Sequence, residues 1–204
     1  MGNNRIPLQP NSIYHIYNHA VGNENIFRTH ENFIYFLKKY KEHIFPIADT
    51  FAFCLMPNHF HLAVRIRSEK ELQYLDPEGF ENPRGLNIAI SQHIGNFFNA
   101  YTKAYNKQFN RKGKLFCDSF ERKEITSEDY FRRIIHYIHF NPVHHSFAKD
   151  LRDWKYSSFE SFFSEKASRI NRDEVISWFG SIDEFTLFHQ KEIDEKMILD
   201  LEQI

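Results

Sequence analysis

The chain is poor in the features that mark several whole classes of protein. It has two cysteines in 204 residues, and Cys54 and Cys117 stand too far apart, in the wrong context, for a disulfide framework or a zinc knuckle. Each falls in a segment predicted as a strand, where a free thiol acts as a small buried hydrophobe of a reducing compartment. No stretch approaches the roughly 18 apolar residues of a membrane span, and Met1 to Pro7 lacks the apolar region of a secretory leader. A cytoplasmic protein without a membrane segment is the expectation. Internal repeats and low-complexity segments are absent too. A formal net charge of −1 argues against a general nucleic-acid coat.

What is present points to one packed body with an appendage. The chain is 42% hydrophobic, with 22 Phe and 10 Tyr, which suffices for a well-buried core. The near-zero charge hides an uneven distribution. Lys103, Lys107, Arg111, Lys112, Lys114, Arg122 and Lys123 crowd a central stretch that also holds Tyr101, Tyr105 and Phe109. Such a stretch is either a solvated face or a groove for single-stranded nucleic acid, in which bases stack on rings and cations track phosphates. Past residue 170 the sign reverses, with Asp173, Glu174, Asp183 and Glu184 among the acids. Residues 1–165 are taken as the main domain and 166–204 as a helical extension packed on it, read as structural and not DNA-reading because its acidic residues would repel phosphate.

The periodicities give an alternating order of elements. Ile13 to Asn18 is β-branched and aromatic enough for a strand, and Thr29 opens a helix that Pro46 closes. Two strands follow, Thr50 to Leu55 and His59 to Arg67, joined by Met56-Pro57-Asn58. Residues 76–85 are a loop rich in Pro and Gly, and a helix spans Leu86 to Lys107 on a stripe that includes Ile90, Ile94 and Phe97. Lys114 to Ile125 is expected as a fourth strand. Ser127 caps a helix with Glu128 and Asp129 in its first turn, which is expected to stop near Asn141 because Pro142 disfavours helical angles in its predecessor. The predicted class is α+β: a four-stranded, antiparallel, ferredoxin-like or RRM-like sheet with helices on one face.

Two constellations carry chemistry. His59 and His61 lie two apart on a strand, so both project from one face with Phe60 on the other. Neutral imidazoles so placed can seat a divalent ion, and a half-buried strand with polar edges is the other reading. Tyr137 and Asn141 lie one turn apart on the last helix, so a group ligating through Asn141 holds Tyr137 beside whatever the ion binds. A phenol attacks well only when a cation or base stabilises its phenolate. Two imidazoles and an amide oxygen leave positions open on Mg²⁺ or Mn²⁺ for a scissile phosphate. Because the imidazoles must be neutral, activity is expected to fall below about pH 6.5.

Met56-Pro57-Asn58-His59-Phe60-His61-Leu62, then Tyr137-Ile138-His139-Phe140-Asn141-Pro142-Val143, then Trp154-Lys155-Tyr156-Ser157-Ser158-Phe159, resembles the single-tyrosine HUH transposases, in particular the REP-associated tyrosine transposase branch. Tyr14 to His19, leading to Ile26-Phe27, is similar to that family's opening strand and loop. The resemblance covers roughly residues 10–160. It implies His59 and His61 as the histidine pair, Tyr137 as nucleophile and Asn141 as the third polar ligand. It also implies cleavage and rejoining of single-stranded DNA through a 5′-phosphotyrosine, a hairpin beside the cleavage site, and in some relatives a homodimer that exchanges the tyrosine helix. The chain departs from the branch where Asn18-His19 stands for Asn-Arg, and where His144-His145 follows Asn-Pro-Val in place of a basic residue. A domesticated DNA-binding protein and a replication initiator or relaxase are alternative readings. A hydrolase using water as nucleophile would not need Tyr137.

Overall fold

A computed structural model describes residues 6–75, 83–117, 120–191 and 193. Its strands are β1 (Ile13–His19), β2 (Ala48–Leu55), β3 (His59–Ile66) and β4 (Glu121–Ile125). Its helices are α1 (His30–His43), α2 (Glu69–Leu75), α3 (Pro83–Gln108), α4 (Glu128–His144), α5 (Arg172–Phe179) and α6 (Ile182–His189). The sheet order is β2-β3-β1-β4, with every neighbouring pair antiparallel. Reading β1-α1-β2-β3-α3-β4, this is the βαββαβ arrangement of the predicted ferredoxin-like class. No helix among the described residues is long and apolar enough to cross a membrane.

Alternation along each strand sorts the side chains into two layers. Phe60, Leu62, Val64 and Ile66 of β3 face α1 and α3, forming a core with Phe36, Ile90, Ile94, Phe97 and Tyr101. Phe36 is fully buried, its ring centroid 5.3 Å from Phe60 and 4.7 Å from Phe97. His59, His61 and Ala63 face the other way, and the helix on that side is α4. Phe131, Ile134, Ile135, Tyr137 and Ile138 pack with Phe51, Ala52, Cys54 and Ala63 in a second core. The expectation that the helices lie on one face therefore holds for α1 and α3 and is corrected for α4, whose apolar stripe covers the histidine face.

Three further expectations change. The fourth strand is confined to Glu121–Ile125, because Phe116 makes a lone bridge to Ala20 and does not continue the ladder. Cys117 is accordingly exposed, not a buried strand thiol, with its Sγ 3.1 Å from the Ala20 carbonyl; Cys54 is buried as expected. Helix α4 runs through Pro142 to His144. The missing Pro142 N–H falls in the last turn, where few bonds remain to be lost, and the N–H of His145 still donates to the Asn141 carbonyl at 3.0 Å. Most of the loop expected over residues 76–85 lies outside the described residues, as do residues 194–204 of the acidic tail.

The segment after α4 returns along the outer edge of β2. Leu55 N–H donates to Tyr156 O, Ser158 N–H to Phe53 O, Phe53 N–H to Ser158 Oγ and Asn171 N–H to Thr50 O, all between 2.8 and 3.0 Å. Helices α5 and α6 then cover α4, with Val175 and Phe185 fully buried. Arg65 binds Asp49 at 2.9 Å and Glu174 at 2.5 Å, so one of the acidic residues past 170 ties α5 to the sheet.

A relay of neutral imidazoles joins α6 to α4 and to β2. His189 Nδ1–H donates to the Phe185 carbonyl at 2.8 Å, which leaves His189 Nε2 to accept from His139 Nδ1–H at 2.9 Å. His139 Nε2 then accepts from the Ser158 hydroxyl at 2.9 Å. Each ring carries one proton, and no second proton has an acceptor along this chain. Burial lowers His189 to about 3 and His136 to about 4, and pushes His139 well below the usual range. The unfolded chain protonates these residues near pH 6.5 while the folded one does not. Their neutral-state stability is thus complete above that pH and is lost as pH falls toward 4, by up to about 1.4 kcal/mol per pH unit for each proton. Urea unfolding followed by circular dichroism should show the midpoint dropping steadily between pH 6.5 and 5, above the range where carboxylates titrate. A flat or rising midpoint over that window would contradict the relay.

Candidate metal and nucleophile site

The site forms where β1, β3 and α4 meet. The β1–β3 register places His19 opposite His59, Tyr17 opposite His61 and His15 opposite Ala63. Directly opposed residues share a face, so β1 adds His15, Tyr17 and His19 to the histidine face of β3. Helix α4 lies over it, with the Tyr137 ring centroid 5.2 Å from His61 and 6.1 Å from His15. Asn141, fully buried, presents Oδ1 to His59 Nε2 at 2.9 Å while its Nδ2 donates to the Tyr137 carbonyl at 3.3 Å. Residues 82 positions apart in sequence are thus brought together.

Hydrogen bonds orient both imidazoles. His61 Nδ1 lies 2.9 Å from His15 Nε2; with His61 as donor, its Nε2 lone pair is left for a ligand. His59 touches Asn58 Oδ1 through Nδ1 and Asn141 Oδ1 through Nε2, both at 2.9 Å. Burial lowers His59 to about 3 against the opposing bond to Asn141, so the ring carries a single proton. With the amides as oriented, one of its two contacts sets two lone pairs face to face. A cation beside Nε2 and Asn141 Oδ1, with Nδ1–H donating to Asn58, removes that conflict. The 2.9 Å separation is also close to the ~3.0 Å between adjacent ligands of an octahedral ion with bonds of about 2.1 Å. His59 and Asn141 therefore have the spacing of two donors to a hard divalent ion, and the second imidazole, His61, lies with its ring centroid 5.2 Å from that of His59. Among the described residues no group of three His, Cys, Asp or Glu side chains is arranged for a metal.

Sequence reasoning missed His15, Tyr17, His19, Asn58 and His145. The His19 ring stacks on His59 at 4.7 Å, and His145 meets it edge-on at 4.9 Å. The pattern His15-Tyr17-His19 at alternate positions was the available signal, but only the register shows that it faces His59.

The basic stretch is dispersed. Lys103 and Lys107 are exposed on α3, across the sheet from the site. Arg111 is held by Glu24, Asn106 and the Lys114 carbonyl. The segment carrying Lys112 and Lys114 runs beside Val21, just past His19. Lys123 pairs with His15 and shares the site's face, whereas Arg122 pairs with Ile16 on the opposite one. The aromatic half of the expected groove is overturned for two of its three rings, Phe109 being half-buried under Arg28. Tyr101 and Tyr105 are 1% exposed and donate to the carbonyls of Ile26 and Asn25, so neither ring can stack on a base.

No family model matches the chain. A curated protein of Haemophilus influenzae named "Putative REP-associated tyrosine transposase" is 26% identical over 117 residues, 54% of this chain and 58% of that protein. The chain therefore matches little more than half the length of that relative. A solved REP-associated tyrosine transposase bound to a REP hairpin superposes with a TM-score of 0.54 at 15% identity, over 81% of this chain and 87% of that one. The class defined by fold and site is an α+β domain in which a strand His-x-His pair faces a helix tyrosine. Within that class, both comparisons carry the name of the branch that the motifs resemble.

Burial lowers His15 and His59 to about 3 and pushes His61 well below the usual imidazole range, so desolvation favours the neutral, ligating form of all three rings well below pH 6.5. Long-range ¹⁵N–¹H spectra of the imidazoles at pH 5.5 should show His15 and His59 as single neutral tautomers. Imidazolium shifts at that pH would overturn the burial argument.

Proposed function

We propose that this protein is a DNA strand transferase of the single-tyrosine type, cleaving and rejoining single-stranded DNA through Tyr137. The observation that carries the reading is the convergence of Tyr137, His61, His59 and Asn141 from two distant motifs. The Tyr137 oxygen attacks the scissile phosphorus, the phosphorus–3′-oxygen bond breaks, and the phenol proton is given up while the leaving oxygen gains one. The products are a 5′-phosphotyrosine and a free 3′-OH. A second 3′-OH reverses the step without external energy, since the diester bond is retained.

His59, His61 and Asn141 would hold Mg²⁺ or Mn²⁺, which when bound offsets the charge developing on the phosphate. His15 fixes the His61 tautomer, and Asn58 that of His59. Helix α4 orients the nucleophile, because the Asn141 amide bonds the backbone of Tyr137 itself. The substrate is read as single-stranded DNA beside a hairpin, since the solved neighbour is bound to one. Of the basic residues, Lys112, Lys114 and Lys123 lie nearest the site's end or face and are assigned to phosphates. Lys103, Lys107, Arg111 and Arg122 stay candidates for the hairpin stem only. A homodimer and a cytoplasmic location belong to the same reading.

Incubation with single-stranded oligonucleotides followed by a denaturing gel should show a covalent adduct that Tyr137→Phe abolishes while binding stays within about threefold. An adduct of undiminished yield in the variant would move the nucleophile elsewhere, Tyr130 and Tyr156 being next to test.

For the metal, His15→Ala is expected to weaken Mn²⁺ binding about 10- to 100-fold in calorimetry, the usual effect of removing a group that orients a ligand. His59→Ala or His61→Ala should eliminate cleavage, and Asn141→Ala should raise the metal requirement. Full cleavage in excess EDTA would remove the metal from the scheme. Neutralising Lys112, Lys114 and Lys123 together should lower the log–log salt slope by roughly 0.7 for each lost phosphate contact. An unchanged slope would make them a solvated face.

A further inference from the structure

The burial of Tyr101 and Tyr105 removes two of the three rings expected to stack on bases, and the structure offers a more exposed ring elsewhere. Among the described residues, Phe147 is the one aromatic in the set of large exposed hydrophobics, at 49% exposure. Its position is built, not accidental. The chain reverses after α4 through Ser146, a non-glycine residue in the left-handed region at φ 59°, and Phe147 N–H then donates to the Pro142 carbonyl at 2.8 Å. This turns the ring back against Trp154, at a centroid distance of 5.8 Å.

Phe147 begins a row of rings. Trp154, half-buried, lies 5.7 Å from Tyr156, and Tyr156 stacks on Phe33 and bonds His30 Nδ1 through its hydroxyl at 2.9 Å. The row is anchored at the site itself. Trp154 Nε1–H donates to the Leu55 carbonyl at 3.0 Å, immediately before Met56-Pro57-Asn58-His59. At its other end, His145, two residues before Phe147, packs against the His59 ring. Exposed Lys149 follows Phe147, and Lys155 places its ammonium 5.0 Å from the Tyr156 ring. The interspersed acids are occupied: Asp150 accepts from the Arg152 N–H and Asp153 from the Asp150 N–H, so their carboxylates are turned into the local backbone.

We propose that Phe147, backed by Trp154 and Tyr156, is a stacking platform for an unpaired base flanking the scissile phosphate. Lys149 and Lys155 hold the adjoining phosphates. Rings exposed on one side, braced on the other and flanked by cations match the chemistry of single-stranded DNA, in which each base offers a flat face and each linkage a negative charge. The platform rests on the reading of His59, His61 and Tyr137 as the cleavage site, and it tells where the strand leaves that site.

The test is fluorescence anisotropy of a fluorescein-labelled 16-nucleotide oligothymidylate on the full chain carrying Tyr137→Phe, which blocks covalent capture. Phe147→Ala should weaken binding about tenfold, Phe147→Trp should restore it to within about twofold, and Phe147→Leu should not. Because no phosphate contact is lost, the salt slope should be the same in Phe147→Ala, whereas Lys149→Ala and Lys155→Ala should each lower it by roughly 0.7. An unchanged thermal midpoint in Phe147→Ala shows that the fold is intact, as its exposure leads one to expect. Failure of the parent protein to bind the oligonucleotide would defeat the platform, whereas the functional reading falls only with the Tyr137-dependent adduct. Binding by the parent that Phe147→Ala leaves unaltered overturns the platform alone. Loss of self-association in sedimentation with affinity for the oligonucleotide retained makes the patch a contact between copies and likewise overturns it.

Discussion

Neutral imidazoles, buried on both sides of one helix, determine where everything else in this molecule can sit. On the inner side of α4, Asn141 meets His59 and Tyr137 meets His61. On its outer side, His139 bonds His189 of α6 and Ser158 beside β2. A charged imidazole at any of these positions would lose its hydration against an apolar wall, so desolvation lowers His59, His61, His139 and His189 together, and His15 beside them. The same property that makes the inner rings competent ligands makes the outer rings a weld. The reacting geometry and the attachment of the C-terminal helices are thus set by one physical condition.

How much of this was legible depended on whether the information was local. The His-x-His pair announces its own face through strand alternation, and the four-residue spacing of Tyr137 and Asn141 announces a shared helix face. The alternating order of elements sufficed for the βαββαβ class. Register did not follow from sequence, so His15 and His19 gave no sign that they lie against His61 and His59. Tyr101 and Tyr105 misled for a related reason. Their helical spacing fits a core stripe and an aromatic surface equally well, and only the arrival of the Asn25–Ile26 carbonyls decides for the core. Pro142 misled because its penalty depends on how many helical bonds lie beyond it, which a sequence does not state.

The two departures from the branch's pattern also acquire a place. His19 stands at the end of β1 and His145 just past α4, and in three dimensions they lie against the same His59 ring. The resemblance leads one to expect arginine-like cations near these positions. Here the mouth of the site is bordered by aromatic heterocycles with shorter reach and flat faces. That change in wall chemistry accompanies a nearly neutral chain and a row of rings leading away through Phe147.

The return of residues 156–171 along β2 has a consequence for how the molecule behaves in company. An edge strand with unpaired amides is a template on which a second chain can grow, and β2 would be such a template if its outer groups were bare. Tyr156, Ser158 and Asn171 take them up. The opposite edge, β4, is five residues long and carries Glu121, Arg122, Lys123 and Glu124, a short and heavily charged margin unsuited to recruiting a neighbour. The sheet is finite by construction, and fibril-like or end-to-end polymerisation through its strands is disfavoured at both margins.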